Sequence, residues 1–170
     1  RFDDIRMNGN SVARNFETYN FSAGLGRQIS ENTFVGGSIS ASERAPSVSE
    51  LYSAGYHAAA SRHERGDTTL STEEALGTEI YYRYSNGPRA VRLAAFNNDF
   101  EDFIYLQGAG IQIEENDVYD YLQNDAEIYG FEASFAHTGT WRGAAWSAEI
   151  SYSDITGELD NGDPLRSIPT

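Results

Sequence analysis

Apolar and polar residues alternate with a period of two along most of the chain, which is typical of β-strands that have one apolar face. In residues 143–154, Trp146, Ile150 and Tyr152 fall on one face. The residues between them, such as Glu149 and Ser151, fall on the other face, which is polar. The same alternation predicts further strands at 17–27, 33–42, 74–84, 89–105 and 125–137, and a weakly marked first strand at 1–7. The chain is therefore predicted to be all-β, an antiparallel meander of six or seven strands.

Short and long connections between these strands alternate strictly. The short ones are predicted hairpin turns at Ser30-Glu31-Asn32, Asn86-Gly87-Pro88 and Thr138-Gly139-Thr140. The long ones are predicted at 43–72, 106–121 and 157–170. Outer-membrane barrels have short periplasmic turns on one rim and long extracellular loops on the other. The alternation therefore favours a transmembrane β-barrel in which 43–72 forms a long extracellular loop.

Charge and composition narrow the function classes. The 170 residues carry 12 Lys and Arg against 26 Asp and Glu, a net charge of −14 that argues against nucleic acid as a partner. The sequence has no cysteine, which excludes disulfides, thiolate metal sites and cysteine nucleophiles. Its apolar runs are far shorter than the roughly 20 residues of a membrane-spanning helix, whereas a barrel strand needs only about 10 alternating residues.

A soluble antiparallel β-sandwich is the alternative fold, because its strands also have one apolar face each. Such a module would bind ligands, for example carbohydrates, through its aromatic loops. The two folds differ in what covers the apolar face. A sandwich would seal Trp146, Phe131 and Tyr82 inside a core, whereas a barrel would turn them toward lipid.

Several motifs resemble those of TonB-dependent outer-membrane receptors. The stretch SERAPSVSELY at 42–52 is followed by HERGD at 63–67 and LSTEEALGTEI at 70–80, in the order and spacing of that family. Further resemblances are AAFNNDFEDFIYLQ at 94–107, AEIYGFEAS at 126–134 and DPLRSIPT at 163–170. Together these motifs extend over nearly the whole chain.

The resemblance implies a location, partners and a larger parent protein. It implies a 22-stranded barrel in the bacterial outer membrane, with 1–170 as part of the barrel domain and with the plug domain and final strands absent. Expected partners are the TonB complex of the inner membrane, acting through the plug, outer-membrane lipid, and a metal or metal chelate. No cofactor is expected, because zinc, haem or a ferric siderophore would be transported cargo.

The predicted 43–72 loop carries the candidate binding residues. Imidazole and carboxylate groups together suit Zn²⁺, which takes about four such ligands. We therefore expect metal contact from His57, His63, Glu64 and Asp67, and ligand contact from Glu50, Tyr52 and Tyr56. Resemblance to the zinc-importing branch of the family favours zinc. The alternative is that both histidines are solvated loop residues.

Haem and ferric siderophores are further candidate ligands. Haem-uptake receptors resemble this chain in two elements that flank an axial histidine, represented here by 43–46 and 67–70 on either side of His57, although the second element matches poorly. The acidic segment 114–125 lacks the spacing of an EF-hand and is interpreted as a solvated stretch. The sequence contains no GxSxG, P-loop or HExxH motif, so we expect a receptor and not an enzyme.

Overall fold

The computed structural model describes residues 5–7, 10–12 and 14–165. Its strands are β1 (Ile5–Met7), β2 (Asn10–Val12), β3 (Asn20–Ser30), β4 (Thr33–Arg44), β5 (Ala54–His57), β6 (Arg62–Arg65), β7 (Glu73–Asn86), β8 (Arg89–Ile113), β9 (Asn116–Trp141) and β10 (Ala144–Leu159). A short helix, α1 (Val48–Tyr52), lies between β4 and β5. The predicted all-β class is confirmed. Residues 1–4 of the predicted first strand and 166–170 of the last motif lie outside the described residues.

The long strands form an antiparallel meander. Among the described residues, β1 pairs with β2, and an eight-stranded sheet has the order β3-β4-β7-β8-β9-β6-β5, with β10 also pairing with β9. The strands β6 and β10 thus pair with the same edge of β9, at different positions along it. Its first part pairs with β6 through His63↔Val118 to Arg65↔Asp120, and its later part pairs with β10 through Leu159↔Ala126 to Ala144↔Trp141.

The register of β9 and β10 separates an apolar face from a polar face. Phe135 lies opposite Ile150 and Gly139 lies opposite Trp146, whereas Ser134 lies opposite Ser151 on the other side of the sheet. Because successive side chains of a strand point to opposite faces, this register keeps the apolar positions of both strands together. His137 lies inside β9 on the apolar face, with its ring 5.3 Å from that of Trp146.

The apolar face is exposed. Leu25 is 84 % exposed, Ile150 70 % and Ile80 68 %, and Trp146 and Phe131 are each 44 % exposed. The β-sandwich alternative, in which a second sheet covers this face, is therefore wrong. A polar environment would make such a surface costly, whereas hydrocarbon would not.

Two predicted connections differ from the structure. The expected loop at 106–121 is mostly strand, because β8 and β9 continue to a tight turn at Glu114 and Glu115, both of which have positive φ. The expected turn at 138–140 lies within β9, and the chain turns instead at Arg142 and Gly143, again with positive φ. Position 139 of β9 favours glycine, because the Trp146 ring occupies the space where a side chain at this position would lie.

The chain divides into two compact units. The first comprises the described residues of 1–19 together with 42–74 and 101–125. It contains a small core of Leu51, Leu70 and Ile104, against which Tyr52 and Tyr121 pack. The second comprises 20–41, 75–100 and the described residues of 126–170, and it carries most of the exposed apolar face. In the described part of the chain, no helix has the length and apolar character needed to cross a membrane.

Candidate functional site

Residues 45–72, called the docked loop below, are folded and belong to the first unit. Ser47 caps α1: its hydroxyl accepts from the Glu50 backbone N–H, and the Glu50 carboxylate accepts from the Ser47 N–H at 2.6 Å. This capping box fixes the start of a helix too short to be stable alone. The chain then forms the hairpin β5–β6, and β6 pairs in parallel with β9. The predicted long loop is therefore a small structured element.

Both ends of the docked loop are held by one arginine. The Arg44 guanidinium donates to the Glu50 carboxylate at 3.0 Å and to the Glu73 carboxylate at 2.8 and 3.2 Å. Glu73 is buried and also accepts the backbone N–H of Ile104 at 2.9 Å. The hydrogen bond with Glu73 raises the pKa of Arg44 above its ordinary value, so the guanidinium stays charged. Arg44 thus links the exit from β4 to α1 and to the start of β7.

Gly66 connects the hairpin to α1. Its N–H donates to the Ser53 carbonyl at 2.7 Å. A Cβ at this position would lie 2.6 Å from the Tyr52 nitrogen and 2.7 Å from the Leu51 carbonyl carbon, so only glycine fits. Close approach of the two backbones therefore places β6 against the end of the helix.

A buried carboxylate organises the hairpin. Glu64 is 5 % exposed and accepts from Arg62 Nε at 2.8 Å and from the Tyr121 hydroxyl at 3.2 Å, and it lies 3.2 Å from His57 Nδ1. Burial raises the pKa of Glu64, but the hydrogen bonds from Arg62 and His57 outweigh it, so the pKa is below its ordinary value. An ionised Glu64 selects the His57 tautomer that carries its proton on Nδ1. An imidazole in this tautomer has its lone pair on Nε2.

The structure brings together two of the four predicted metal ligands, His57 and Glu64. In the hairpin, His57 lies opposite Arg62, and His63 lies opposite Tyr56, so His63 points to the other face. Asp67 accepts from the Thr69 N–H and hydroxyl, which lowers the pKa of Asp67. The described residues contain no group of three or more His, Asp and Glu side chains placed to hold a metal ion. A four-ligand zinc site within this chain stays a prediction.

The predicted ligand-contact residues occupy different environments. Tyr56 is 52 % exposed, and its ring lies 5.4 Å from that of His63. Tyr52 packs against the core, and Glu50 is engaged by Arg44 and by the helix cap. Tyr56 and His57, whose side chain is 55 % exposed, are therefore exposed residues on opposite faces of the hairpin.

Several residues of this site were not predicted from the sequence: Arg44, Arg62, Arg65, Gly66, Glu73, Asp120 and Tyr121. Arg65 donates to the Asp120 carboxylate at 2.6 and 2.8 Å, across the parallel pairing of β6 with β9. Asp120 belongs to the acidic segment interpreted as solvated, and this residue instead helps to anchor the hairpin. Arg44 and Glu73 lie in quoted motifs, and their opposite charges at the two ends of the loop were a usable signal.

Comparison with known proteins gives a consistent family and fold. The family model for "TonB dependent receptor-like, beta-barrel" matches residues 1–170. The fold is similar to that of a solved copper transporter, OprC, with TM-score 0.70 and 17 % identity over 87 % of this chain and 22 % of that one. The siderophore receptor PirA from Pseudomonas aeruginosa gives TM-score 0.59 and 17 % identity, with coverage of 82 % and 30 %.

A third similar structure is the FrpB iron transporter from Neisseria meningitidis, with TM-score 0.56 and 18 % identity over 82 % of this chain and 20 % of that one. The chain thus spans less than a third of the length of each of these three proteins. At these identities the likeness shows a shared barrel fold.

Proposed function

Because the chain belongs to the family of TonB-dependent receptor-like β-barrels, which are outer-membrane proteins of Gram-negative bacteria, we propose that it forms part of a receptor for a metal ion or metal chelate. In this proposal the membrane-spanning segments are the strand residues of the second unit. The docked loop contributes to ligand capture outside the hydrocarbon. Energy for uptake would come from the TonB complex of the inner membrane, as the family implies.

The observation that carries ligand capture is the pairing of His57 with the buried Glu64. A carboxylate that holds one imidazole nitrogen fixes the ring and makes the other nitrogen a better metal ligand. His57 has this arrangement: Nδ1 faces Glu64 at 3.2 Å and the side chain is half exposed. We propose that Nε2 of His57 contacts the metal of the ligand, whereas Tyr56 points to the other face of the hairpin.

Zinc is the first proposed ligand, with haem and ferric siderophores next. Imidazole suits zinc, copper and iron alike, so one histidine does not discriminate among them. Copper is added to the candidates because OprC is described as a copper transporter. The remaining ligands of a bare ion would come from other parts of the full-length protein, and His63, Glu64 and Asp67 are proposed only as supporting residues.

The proposal is tested by titrating the full-length protein that contains this sequence, in detergent, with Zn²⁺, Cu²⁺, haem and a ferric siderophore. We expect His57→Ala to weaken binding of one of these ligands by more than tenfold. Glu64→Gln should weaken it about 10- to 100-fold, the usual effect of losing a carboxylate behind a metal-bound histidine. His137→Ala is the matched control, because His137 belongs to the second unit. Unchanged affinity for all four ligands after His57→Ala would contradict the proposal.

A further inference from the structure

The exposed apolar face of the second unit contains a groove of about 880 Å³. It extends across five neighbouring strands, β3, β4, β7, β8 and β9, which is a width of about 19 Å at the usual strand spacing. Large apolar side chains line it, including Leu25, Ile80, Leu93 and Phe131. Small residues between them, Gly37 and Ala95, leave the space open. The groove thus has the length and chemistry to hold an extended hydrocarbon chain.

A positively charged side chain, that of Arg27, lies at one end of this groove. Arg27 lines it from β3, and strand alternation places its side chain on the same face as Leu25 and Ile29. Arg27 is exposed, and within the described residues no carboxylate lies close enough to form an ion pair with it. A guanidinium on a membrane-facing surface is costly unless it meets an anion or reaches the polar boundary.

We propose that the groove and Arg27 together bind one anionic phospholipid, with an acyl chain in the groove and the phosphate on the Arg27 guanidinium. Arginine forms paired, charge-assisted hydrogen bonds with phosphate oxygens. Arg27 lies four residues before the short turn at Glu31 and Asn32. Short turns of outer-membrane barrels face the periplasm, so the lipid belongs to the periplasmic leaflet. The proposal depends on the membrane location of the chain and not on its transported ligand.

The test measures which lipids stay bound to the full-length protein. The protein is reconstituted into nanodiscs of equal parts phosphatidylcholine and phosphatidylglycerol, released into detergent, and examined by native mass spectrometry. We expect preferential retention of phosphatidylglycerol. Arg27→Gln should lower that retention on the order of tenfold, since it removes a charge-assisted hydrogen bond. Arg27→Lys, which keeps the charge and loses the paired hydrogen bonds, should lower it by less. Ala95→Leu, which fills the groove, should lower retention of both lipids.

Arg83→Gln is the matched control, because Arg83 stacks over Tyr81 at 4.7 Å and alternates with the apolar-face residues Tyr82 and Tyr84. It should leave lipid retention unchanged. Ala133→Leu serves as a second groove-filling variant if Ala95→Leu does not fold. Equal phosphatidylglycerol retention in the parent and in Arg27→Gln would overturn the proposal. So would an equal loss in Arg83→Gln.

Discussion

At the scale of single residues, the docked loop depends on positions where one substitution removes a contact that has no substitute nearby. Gly66 permits close approach of its own backbone to that of Tyr52. Glu73 accepts hydrogen bonds from Arg44 and from the Ile104 amide, and Glu64 orients His57. Each of these residues acts on the loop as a whole, although none of them is at its exposed tip. The site is therefore sensitive to changes well away from His57.

Gly66→Ala should separate β6 from α1, because its Cβ would lie 2.6 Å from the Tyr52 nitrogen. We expect a destabilisation of about 1–3 kcal/mol, the usual cost of overpacking. Hydrogen exchange of the β5 and β6 amides measures it. Gly108→Ala is the control in the same unit, since a Cβ there meets only a Tyr119 ring carbon at 3.8 Å, an ordinary contact distance. Equal protection in the two variants would contradict the assigned contact.

Glu73→Ala should loosen both ends of the docked loop. It removes two hydrogen bonds from Arg44 and leaves the Ile104 N–H without its acceptor, which costs about 1–3 kcal/mol when the group is buried. Faster proteolytic cleavage within 45–72 is the expected result. The adjacent Glu74→Ala is the control, because Glu74 is exposed. The role assigned to Glu73 fails if both variants are cleaved at the rate of the parent.

At the scale of elements, the strands could be predicted from the sequence and the docked loop could not. Alternation predicted the strands β3, β4, β7, β9 and β10, because each strand has one apolar face. For most of the strand ends, the predicted position lies within a few residues of the observed one. It missed the outer part of β9, where acidic residues such as Asp117 and Asp120 interrupt the pattern, and the outer part of β8, which contains Gly108 and Gly110. It also missed the pairing of β6 with β9, since contacts between residues 55 positions apart leave no local signal.

The metal ligands show the same limit. Proximity in sequence grouped His57, His63, Glu64 and Asp67, but strand alternation in the β5–β6 hairpin turns His63 away from His57 and Glu64. Only a prediction of the hairpin register would have separated them. The resemblance correctly indicated the family and the fold, and it did not determine the ligand.

The anchoring of the hairpin on β9 should depend on pH through Asp120. The hydrogen bond from Arg65 lowers the pKa of Asp120. A lowered pKa means that this stabilisation is complete above the ordinary aspartate value of about 3.9 and is lost as the pH falls through the lower folded value. Hydrogen-exchange protection of β6, corrected for intrinsic rates, should therefore fall below about pH 4, with β10 as internal reference. In Asp120→Asn this added acid sensitivity should be absent.

At the scale of the whole molecule, the two units of the chain have surfaces of different character. Residues of the second unit form an exposed apolar face suited to lipid, and residues of the first unit form a polar, hydrogen-bonded surface element. In a sheet that spans hydrocarbon, the ladder must satisfy the backbone groups, and the apolar face must meet lipid. The family membership and the exposure of Leu25, Ile80 and Ile150 agree on this point.

Lipid contact at the apolar face is tested most directly by attaching a fluorophore to single introduced cysteines, because residues 1–170 contain no cysteine and any cysteine elsewhere in the full-length protein is first replaced by serine. The full-length protein carries Ile150→Cys or Ile80→Cys on the apolar face, and Ser151→Cys or Glu79→Cys on the polar face. In bilayers of brominated lipid, the fluorophore at 150 and 80 should be strongly quenched, whereas at 151 and 79 it should respond to a water-soluble quencher. Equal quenching by brominated lipid at all four positions, or stronger quenching at 151 and 79, would contradict a lipid-facing apolar surface.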